Sequence, residues 1–341
     1  MSDRFLALAI VFGAMAPAAG QVPAAKKAWT APLTPDGQPD LQGVWLSNSA
    51  TPLERPKALE GREFLTDAEV ADLKKRAAKL FKDGNSDFAA GDNAFLAAFA
   101  NVEEYKNPNI SVGSSIEMVE RDFDNRTSLI SDPLDGKLPP LTPEAQRRQS
   151  ATEARQRVMA GPEDLSGALR CITFGVPRIG GNFGAGPYSY YRILQTRGFV
   201  VLLPEIIHDA RIIPLDGRPH LSPHIRQWNG DSRGRWEGKT LVVDTTNFST
   251  QSYFMGSGEN LHLTERFTRV APDTIKYEVT LDDPTTWTKP WTAVTRLKQT
   301  QEAIYEFACH EGNRDVMIGM LAGARAEQKA AEGSAPKGST K

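Results

Sequence analysis

The chain has 341 residues, of which 40% are hydrophobic and 24% are charged, and its formal net charge is −2. These values are typical of one large or two modest globular domains. They argue against nucleic-acid binding through a basic surface, because no stretch interleaves clustered lysine and arginine with aromatic residues.

The first residues have the pattern of a signal peptide. Arg4 supplies a positive charge, residues 5–15 form an apolar run, and small residues suited to cleavage follow at 16–20. The run is too short to span a bilayer, so we expect no stable membrane insertion. The pattern predicts a periplasmic or secreted protein with a signal peptide at 1–20; the alternative is an ordinary apolar N-terminus.

After the signal peptide we predict an extended lead-in at 21–39, one β-barrel-like domain at 40–329 and a disordered tail at 330–341. The domain is expected to contain a helical insert at about 60–165.

Helix signals are strongest where a capping residue precedes an apolar stripe. Thr66 and Glu69 form a capping box, and Thr142 precedes a proline at the first helical position. Helices are predicted at 66–81, 89–105, 142–159 and 313–328.

From Cys171 onward the pattern is typical of β-structure, with alternating apolar residues and short turns. It indicates eight to ten antiparallel strands and therefore a mainly β fold, either a lipocalin-like barrel or a strongly curled sheet. Strands are predicted at 190–195, 199–203, 206–213, 240–247, 275–281, 290–298 and 302–309.

The chain contains two cysteines, Cys171 and Cys309. In an oxidising compartment they have one possible pairing, and we predict a disulfide between them. The alternative is two separate buried thiols.

The first strand carries Gly43 and Trp45, which resemble the Gly-x-Trp signature that opens lipocalins. In that family the tryptophan closes one barrel end and an arginine near the last strand packs on it. The resemblance implies that Arg296 stacks on Trp45.

The run at 206–213 is the first candidate for chemistry. Alternation places His208 on an apolar face, whereas Asp209 and Arg211 share the other face and are expected to form an ion pair. We predict that His208 is a general acid or base whose tautomer is set by Asp231 or Glu311. The alternative is a core histidine bonded to a backbone carbonyl, beside a structural ion pair.

The segment at 230–238 combines four charged residues with three glycines, and we interpret it as an irregular loop at the barrel mouth. Asp231 would brace the loop and Arg233 would point into the mouth; the alternative is a hairpin loop held by its own side-chain bonds. Ser232 is a poor hydrolase nucleophile, because glycine and a strand follow it rather than a helix.

The candidate site also draws on phenols and guanidinium groups, which polarise carbonyls or hold carboxylates. The catalytic candidates are His208, Asp231, Glu311 and Tyr190, and the substrate-binding candidates are Arg178, Arg211, Arg233, Tyr191 and Trp236.

No metal or cofactor site is predicted. Pro223 prevents a helix from bringing His220 and His224 together, and no nucleotide-binding glycine motif or haem motif is present.

Several segments together resemble an uncharacterised family of exported soil-bacterial proteins, and this resemblance implies export. The matching segments are 34–45 (TPDGQPDLQGVW), 51–56, 208–220, 230–247, 283–286 and 309–313.

Two functions follow from this pattern. The first is a secreted lyase, isomerase or hydrolase that performs cofactor-independent acid–base chemistry on an apolar or aromatic small molecule in a barrel pocket. The alternative is a periplasmic binding or carrier protein for a hydrophobic small molecule. Convergence of His208, Asp209, Arg211 and Asp231 on one cavity would favour the enzyme, and separate ion pairs would favour the carrier.

Overall fold

The computed structural model describes residues 29–80, 93–103, 121–177, 190–207, 209–252 and 254–334, and it confirms a mainly antiparallel β fold. The predicted signal peptide lies outside the described residues. The strands are β1 (Gly43–Leu46), β2 (Ile130–Asp132), β3 (Tyr190–Thr196), β4 (Phe199–Pro204), β5 (Arg211–Pro214), β6 (Asp231–Glu237), β7 (Thr240–Thr246), β8 (His262–Ala271), β9 (Thr274–Asp282) and β10 (Trp291–Thr300).

Nine of these strands form one nearly closed, barrel-shaped sheet in the order β5-β4-β3-β1-β10-β9-β8-β7-β6, and β2 pairs with β10. At the seam between β5 and β6, Gly234 allows the close approach. A Cβ atom on Gly234 would lie 2.6 Å from Leu215 Cδ2 and 2.9 Å from Ile213 Cγ2. Only a residue without a side chain fits there unless its neighbours move.

Alternation along the strands fills the barrel with apolar side chains. Its fully buried members include Trp45, Ile193, Val243, Leu263 and Val279. A second apolar cluster lies among the helices and consists of Ala50, Leu59, Leu65, Leu73, Ala77, Leu80, Phe95, Ala97, Ala98 and Phe123.

The residue that stacks on Trp45 is Arg269, not Arg296. The Arg269 guanidinium lies 5.4 Å from the centre of the Trp45 ring, and Trp45 Nε1 donates to the Leu41 carbonyl at 2.8 Å. Arg296 lies between two inward residues of β10, so it points outward, where its Nε is 3.6 Å from Asp124. The lipocalin-based prediction is therefore wrong at this position.

All four predicted helices are present, as α1 (Asp67–Leu80), α2 (Asn93–Ala100), α3 (Pro143–Val158) and α4 (Asn313–Ser334). The predicted capping box of α1 forms, since Thr66 N donates to Glu69 Oε2 at 2.8 Å and Glu69 N donates to Thr66 Oγ1 at 3.3 Å. Short 3-10 helices occur at Lys57–Leu59 and Pro162–Asp164. None of the described helices is long and apolar enough to cross a membrane.

One predicted strand is shorter than expected, and another is wrong. The run at 206–213 is extended only from Arg211 to Pro214, because Ile207 adopts a left-handed backbone with φ of +63°. The run at 302–309 forms no strand. Both edges of β10 already pair, with β9 on one side and β1 on the other, so the segment has no free edge to join.

The polar segment at 230–238 is a strand rather than a loop. Its alternate residues Ser232 and Gly234 are buried, whereas Arg235 and Glu237 face solvent. The charges of β6 lie mainly on its outer face, which is why a strand tolerates them.

Cys171 and Cys309 form the predicted disulfide, with their Cα atoms 5.7 Å apart. The bond connects the segment that precedes β3 to the start of α4, across 138 residues of sequence. In the loop-entropy model a closure of this length stabilises the fold by up to about 5 kcal/mol.

Candidate functional site

The barrel interior contains a buried ion pair between β5 and β8. Arg211 donates to both oxygens of Glu265, from Nη1 to Oε1 at 3.0 Å and from Nη2 to Oε2 at 2.6 Å. The two side chains are only 10% and 2% exposed. Arg211 Nη2 also donates to Ser232 Oγ and Thr245 Oγ1, and so links β5 to β6 and β7.

Tyr277 on β9 completes this interior network. Its hydroxyl donates to Glu265 Oε1 at 2.8 Å. Burial, followed by the Glu265 charge, raises the pKa of Tyr277 well above 10, so the phenol stays neutral. Burial opposes the charged form of Arg211, but Glu265 outweighs it and raises the pKa of the guanidinium. Both groups therefore keep one protonation state over the physiological range.

An inner cavity of about 30 Å³ lies against this network. That volume holds one or two water molecules. Its described walls are mostly apolar and aromatic and are formed by Gly175, Val176, Tyr191, Ile193, Leu202, Pro204, Asp209, Arg211, Asn229, Glu265, Phe267, Tyr277 and Leu297.

The backbone turn at Ile207 directs Asp209 toward this cavity instead of toward Arg211. Asp209 Oδ2 accepts from Thr173 Oγ1 at 2.6 Å and from Asn229 Nδ2 at 3.1 Å. The predicted Asp209–Arg211 ion pair is therefore wrong: Arg211 pairs with Glu265. Two buried atoms of these residues, Asp209 Oδ1 and Arg211 Nε, have no hydrogen-bond partner within the described part of the chain.

A larger outer pocket of about 630 Å³ covers the same end of the barrel. Gly175 and Val176 line both spaces, and Thr173 lines the outer pocket while it bonds to Asp209. The apolar part of its wall consists of Leu165, Ala168, Phe174, Val176, Trp228, Phe248, Phe254 and Leu261. The outer pocket thus lies next to the inner cavity.

A second polar network lies on the outer face of the barrel. His220 Nδ1 is 2.9 Å from Asp231 Oδ2, and His220 Nε2 is 2.7 Å from Asp244 Oδ1. Asp244 Oδ2 in turn lies 2.6 Å from His262 Nε2, and Arg233 Nη1 donates to Asp231 Oδ1 at 2.6 Å. The His220 ring thus lies between two carboxylates, with one at each ring nitrogen.

Hydrogen bonding controls the charge of this outer network. The bond to Asp244 raises the pKa of His262 above 6.5. Burial alone would raise the pKa of Asp244, but the bonds from His262 and His220 outweigh it and lower the pKa below 3.8. No group of three or more His, Cys, Asp or Glu side chains in the described part of the chain is arranged to hold a metal ion.

Among the described residues, the structure brings the predicted site residues together in two separate pairs: Tyr191 and Arg211 line the inner cavity, and Asp231 and Arg233 form an ion pair in the outer network. Asp231 and Arg233 belong to the outer network, so the expectation that Arg233 points into the barrel mouth is wrong. The candidates His208 and Arg178 lie outside the described residues.

The remaining candidates lie away from both cavities. Tyr190 neighbours Tyr191 but lines neither space, and burial, with nearby Glu302 and Glu205, raises its pKa above 10. Glu311 is an exposed turn residue before α4. Trp236 packs at the opposite barrel end, beside Leu215 and Gln195. A catalytic or binding role for these three at the barrel mouth is not supported.

Sequence reasoning missed Glu265, Thr173 and Asn229. Glu265 had a readable signal, because it takes an inward position between Leu263 and Phe267 on an otherwise apolar strand face. Thr173 and Asn229 precede strands in irregular segments, where no periodic pattern indicates direction.

Comparisons with family models, curated proteins and solved structures found no match. The family resemblance drawn from the sequence motifs therefore stays a prediction.

Proposed function

We propose that the protein binds an apolar or aromatic small molecule at the barrel mouth. The observation that carries this proposal is the outer pocket, whose volume of about 630 Å³ suits a ligand of drug-like size and whose wall combines four aromatic side chains with polar ones. The inner cavity, at about 30 Å³, is too small for such a body and accommodates only its tip.

A carrier fits the placement of the charged groups better than an enzyme does. Arg211 is neutralised by Glu265 inside the barrel, and Asp231 is held by His220 and Arg233 outside it. The charged residues are thus divided between two networks, and each is already engaged with protein partners.

One observation favours catalysis as a second candidate. Asp209 lines the inner cavity, and its Oδ1 atom has no partner among the residues that the structure describes. A carboxylate in this position can exchange a proton with a bound molecule. The corresponding reaction would be an isomerisation, elimination or hydrolysis that requires no cofactor.

Calorimetric titration with naphthalene derivatives tests the binding proposal. Thr250 is an exposed residue of the pocket wall, so Thr250→Trp should fill the pocket and weaken binding at least about tenfold, the equivalent of 1.4 kcal/mol. Thr288→Trp is the matched control, because Thr288 is exposed and does not line the pocket. Equal affinities for both variants and the wild type would refute binding in the outer pocket.

We also propose that the protein acts in the periplasm or outside the cell. The disulfide supports this location, since such bonds persist in oxidising compartments. Thiol titration of unfolded, unreduced protein purified from the periplasmic fraction should find no free thiol. Recovery of the chain only from the cytoplasm, with two free thiols, would contradict the proposal.

A further inference from the structure

Two residues that line the inner cavity, Arg211 and Asp209, each have a buried polar atom without a hydrogen-bond partner among the described residues. Arg211 Nε is an unused donor and Asp209 Oδ1 is an unused acceptor. The two residues are two positions apart in the chain. Because a buried polar group without a partner is unfavourable, a ligand group that bonds to both atoms gains affinity.

The size of the cavity limits this ligand group. The cavity holds one or two water molecules, so it admits a small polar group and not a ring. A hydroxyl group fits this space, whereas a ring requires the walls to move. The hydroxyl oxygen can accept from Arg211 Nε while its proton is donated to Asp209 Oδ1.

The charge of the described cavity wall excludes an anion. Arg211 contributes a formal +1, and Asp209 and Glu265 contribute −1 each, which leaves a sum of −1. The Arg211 charge is already directed at Glu265 through two hydrogen bonds. A carboxylate ligand would meet an uncompensated aspartate in a poorly solvated space.

The inner cavity and the outer pocket are neighbouring spaces, because Gly175 and Val176 line both of them. Gly175 adds no side chain to the wall between the two spaces. An aromatic body in the outer pocket can therefore direct one small group past Gly175 toward Asp209.

We propose that the ligand is a phenol or an aromatic alcohol, whose ring occupies the outer pocket and whose hydroxyl bridges Arg211 Nε and Asp209 Oδ1 in the inner cavity. This inference rests on the proposed binding function and adds the chemistry of the head group.

Three probes with the same ring system test the head group by calorimetry: 2-naphthol, 2-methoxynaphthalene and 2-naphthoate. We expect 2-naphthol to bind about tenfold more tightly than 2-methoxynaphthalene, which cannot donate, and 2-naphthoate to bind most weakly. Equal affinities, or a preference for the ether or the acid, would overturn the head-group inference and leave the binding function intact. If none of the three binds, the proposed binding of an aromatic molecule fails as well.

Asp209→Ala tests whether Asp209 is the residue that accepts a hydrogen bond from the hydroxyl of 2-naphthol. The preference for 2-naphthol over the ether should fall to about twofold or less in this variant, because the acceptor is removed. Asp135→Ala is the control, since Asp135 is exposed in a turn and lines neither cavity, and it should keep the full preference. An undiminished preference in Asp209→Ala would refute the role of Asp209. If this variant does not fold, the three-probe series on the wild-type protein still decides the head group.

Discussion

Two polar networks lie on opposite faces of the same three strands, β6, β7 and β8. Within β6 and β7 they are built from neighbouring residues: Ser232 and Thr245 face the interior, whereas Asp231 and Asp244 face outward. The strand period of two thus separates them by a single position in sequence. Burial then gives the two networks different chemistry.

The interior network has one carboxylate for one guanidinium, and both side chains are buried. Its charges are held by direct bonds, and neither Arg211 nor Tyr277 changes its protonation state near neutral pH. In the outer network His262 is about half exposed, and its charge depends on Asp244. The comparison predicts that breaking the interior ion pair lowers stability strongly and independently of pH, whereas breaking the outer network has a small, pH-dependent effect.

The largest effect is expected from Glu265→Ala. This change leaves Arg211 charged, buried and without its carboxylate, which should lower the free energy of unfolding by about 3–5 kcal/mol. Urea denaturation measures the loss. Glu237→Ala is the control, because Glu237 pairs with Arg235 and Arg266 in solvent, and its midpoint should hardly move. Similar midpoint shifts in both variants would contradict the distinction between the two networks.

Replacing the whole interior network should cost less than breaking it. Arg211→Met, Glu265→Leu and Tyr277→Phe together remove the charges and the phenol, while Ser232 and Thr245 still bond to each other at 3.0 Å. We expect a free energy of unfolding within about 2 kcal/mol of wild type, because apolar groups of similar volume often replace a buried ion pair without loss. A triple variant less stable than Glu265→Ala would show that the ion pair itself stabilises the fold.

A substitution at the seam between β5 and β6 tests whether close packing of these two strands is needed for stability. Gly234→Val places a side chain against Leu215 and Ile213 and should destabilise the protein by about 1–3 kcal/mol through overpacking. Thermal unfolding monitors this change. Gly238→Val is a partial control, since no atom lies within 4 Å of its Cβ position and only the strain of its φ of +60° applies. If Gly238→Val is the more damaging of the two, close packing at the seam is not the constraint.

The smallest effect is expected from Asp244→Asn and is best seen as a change in pH dependence. Because the pKa of His262 is raised, its contribution is complete below pH 6.5 and is lost as the pH rises through the shifted value. Because the pKa of Asp244 is lowered, its contribution is present above pH 3.8 and is lost as the pH falls through the shifted value. Asp244→Asn should therefore make stability vary less with pH, both below pH 3.8 and above pH 6.5.

Denaturation midpoints across pH 3–9 measure that profile, and the difference near pH 5.5 should stay below about 1 kcal/mol because the network is partly solvated. Tyr277 provides the contrast. Its stabilising effect is complete below pH 10 and is lost only above that pH. Tyr277 therefore does not make stability depend on pH between pH 3 and 9. If stability depends on pH in the same way in Asp244→Asn and in the wild type, groups other than Asp244 cause the pH dependence.

Local patterns were sufficient for most elements of the fold. Thr66 and Glu69 predicted the start of α1, and the alternation from Ile275 to Leu281 predicted β9, because caps and strand periods depend on residues a few positions apart. The disulfide was predictable since Cys171 had one possible partner. The same reasoning failed at 302–309, where alternation was present but β10 had no free edge.

By itself the sequence determined a mainly antiparallel β protein with capped helices and a disulfide, because alternation, capping and cysteine pairing are properties of short segments or of single pairs. Only the tertiary structure decided which charges meet. Arg211 bonds to Glu265, 54 positions away, because closure of the barrel brings β5 near β8. Asp209 lines the cavity because the left-handed Ile207 interrupts the predicted strand, and Asp231 faces outward because β6 is a strand. The physical reason is that the direction and partner of a polar side chain depend on the neighbouring strand, which a local pattern does not specify.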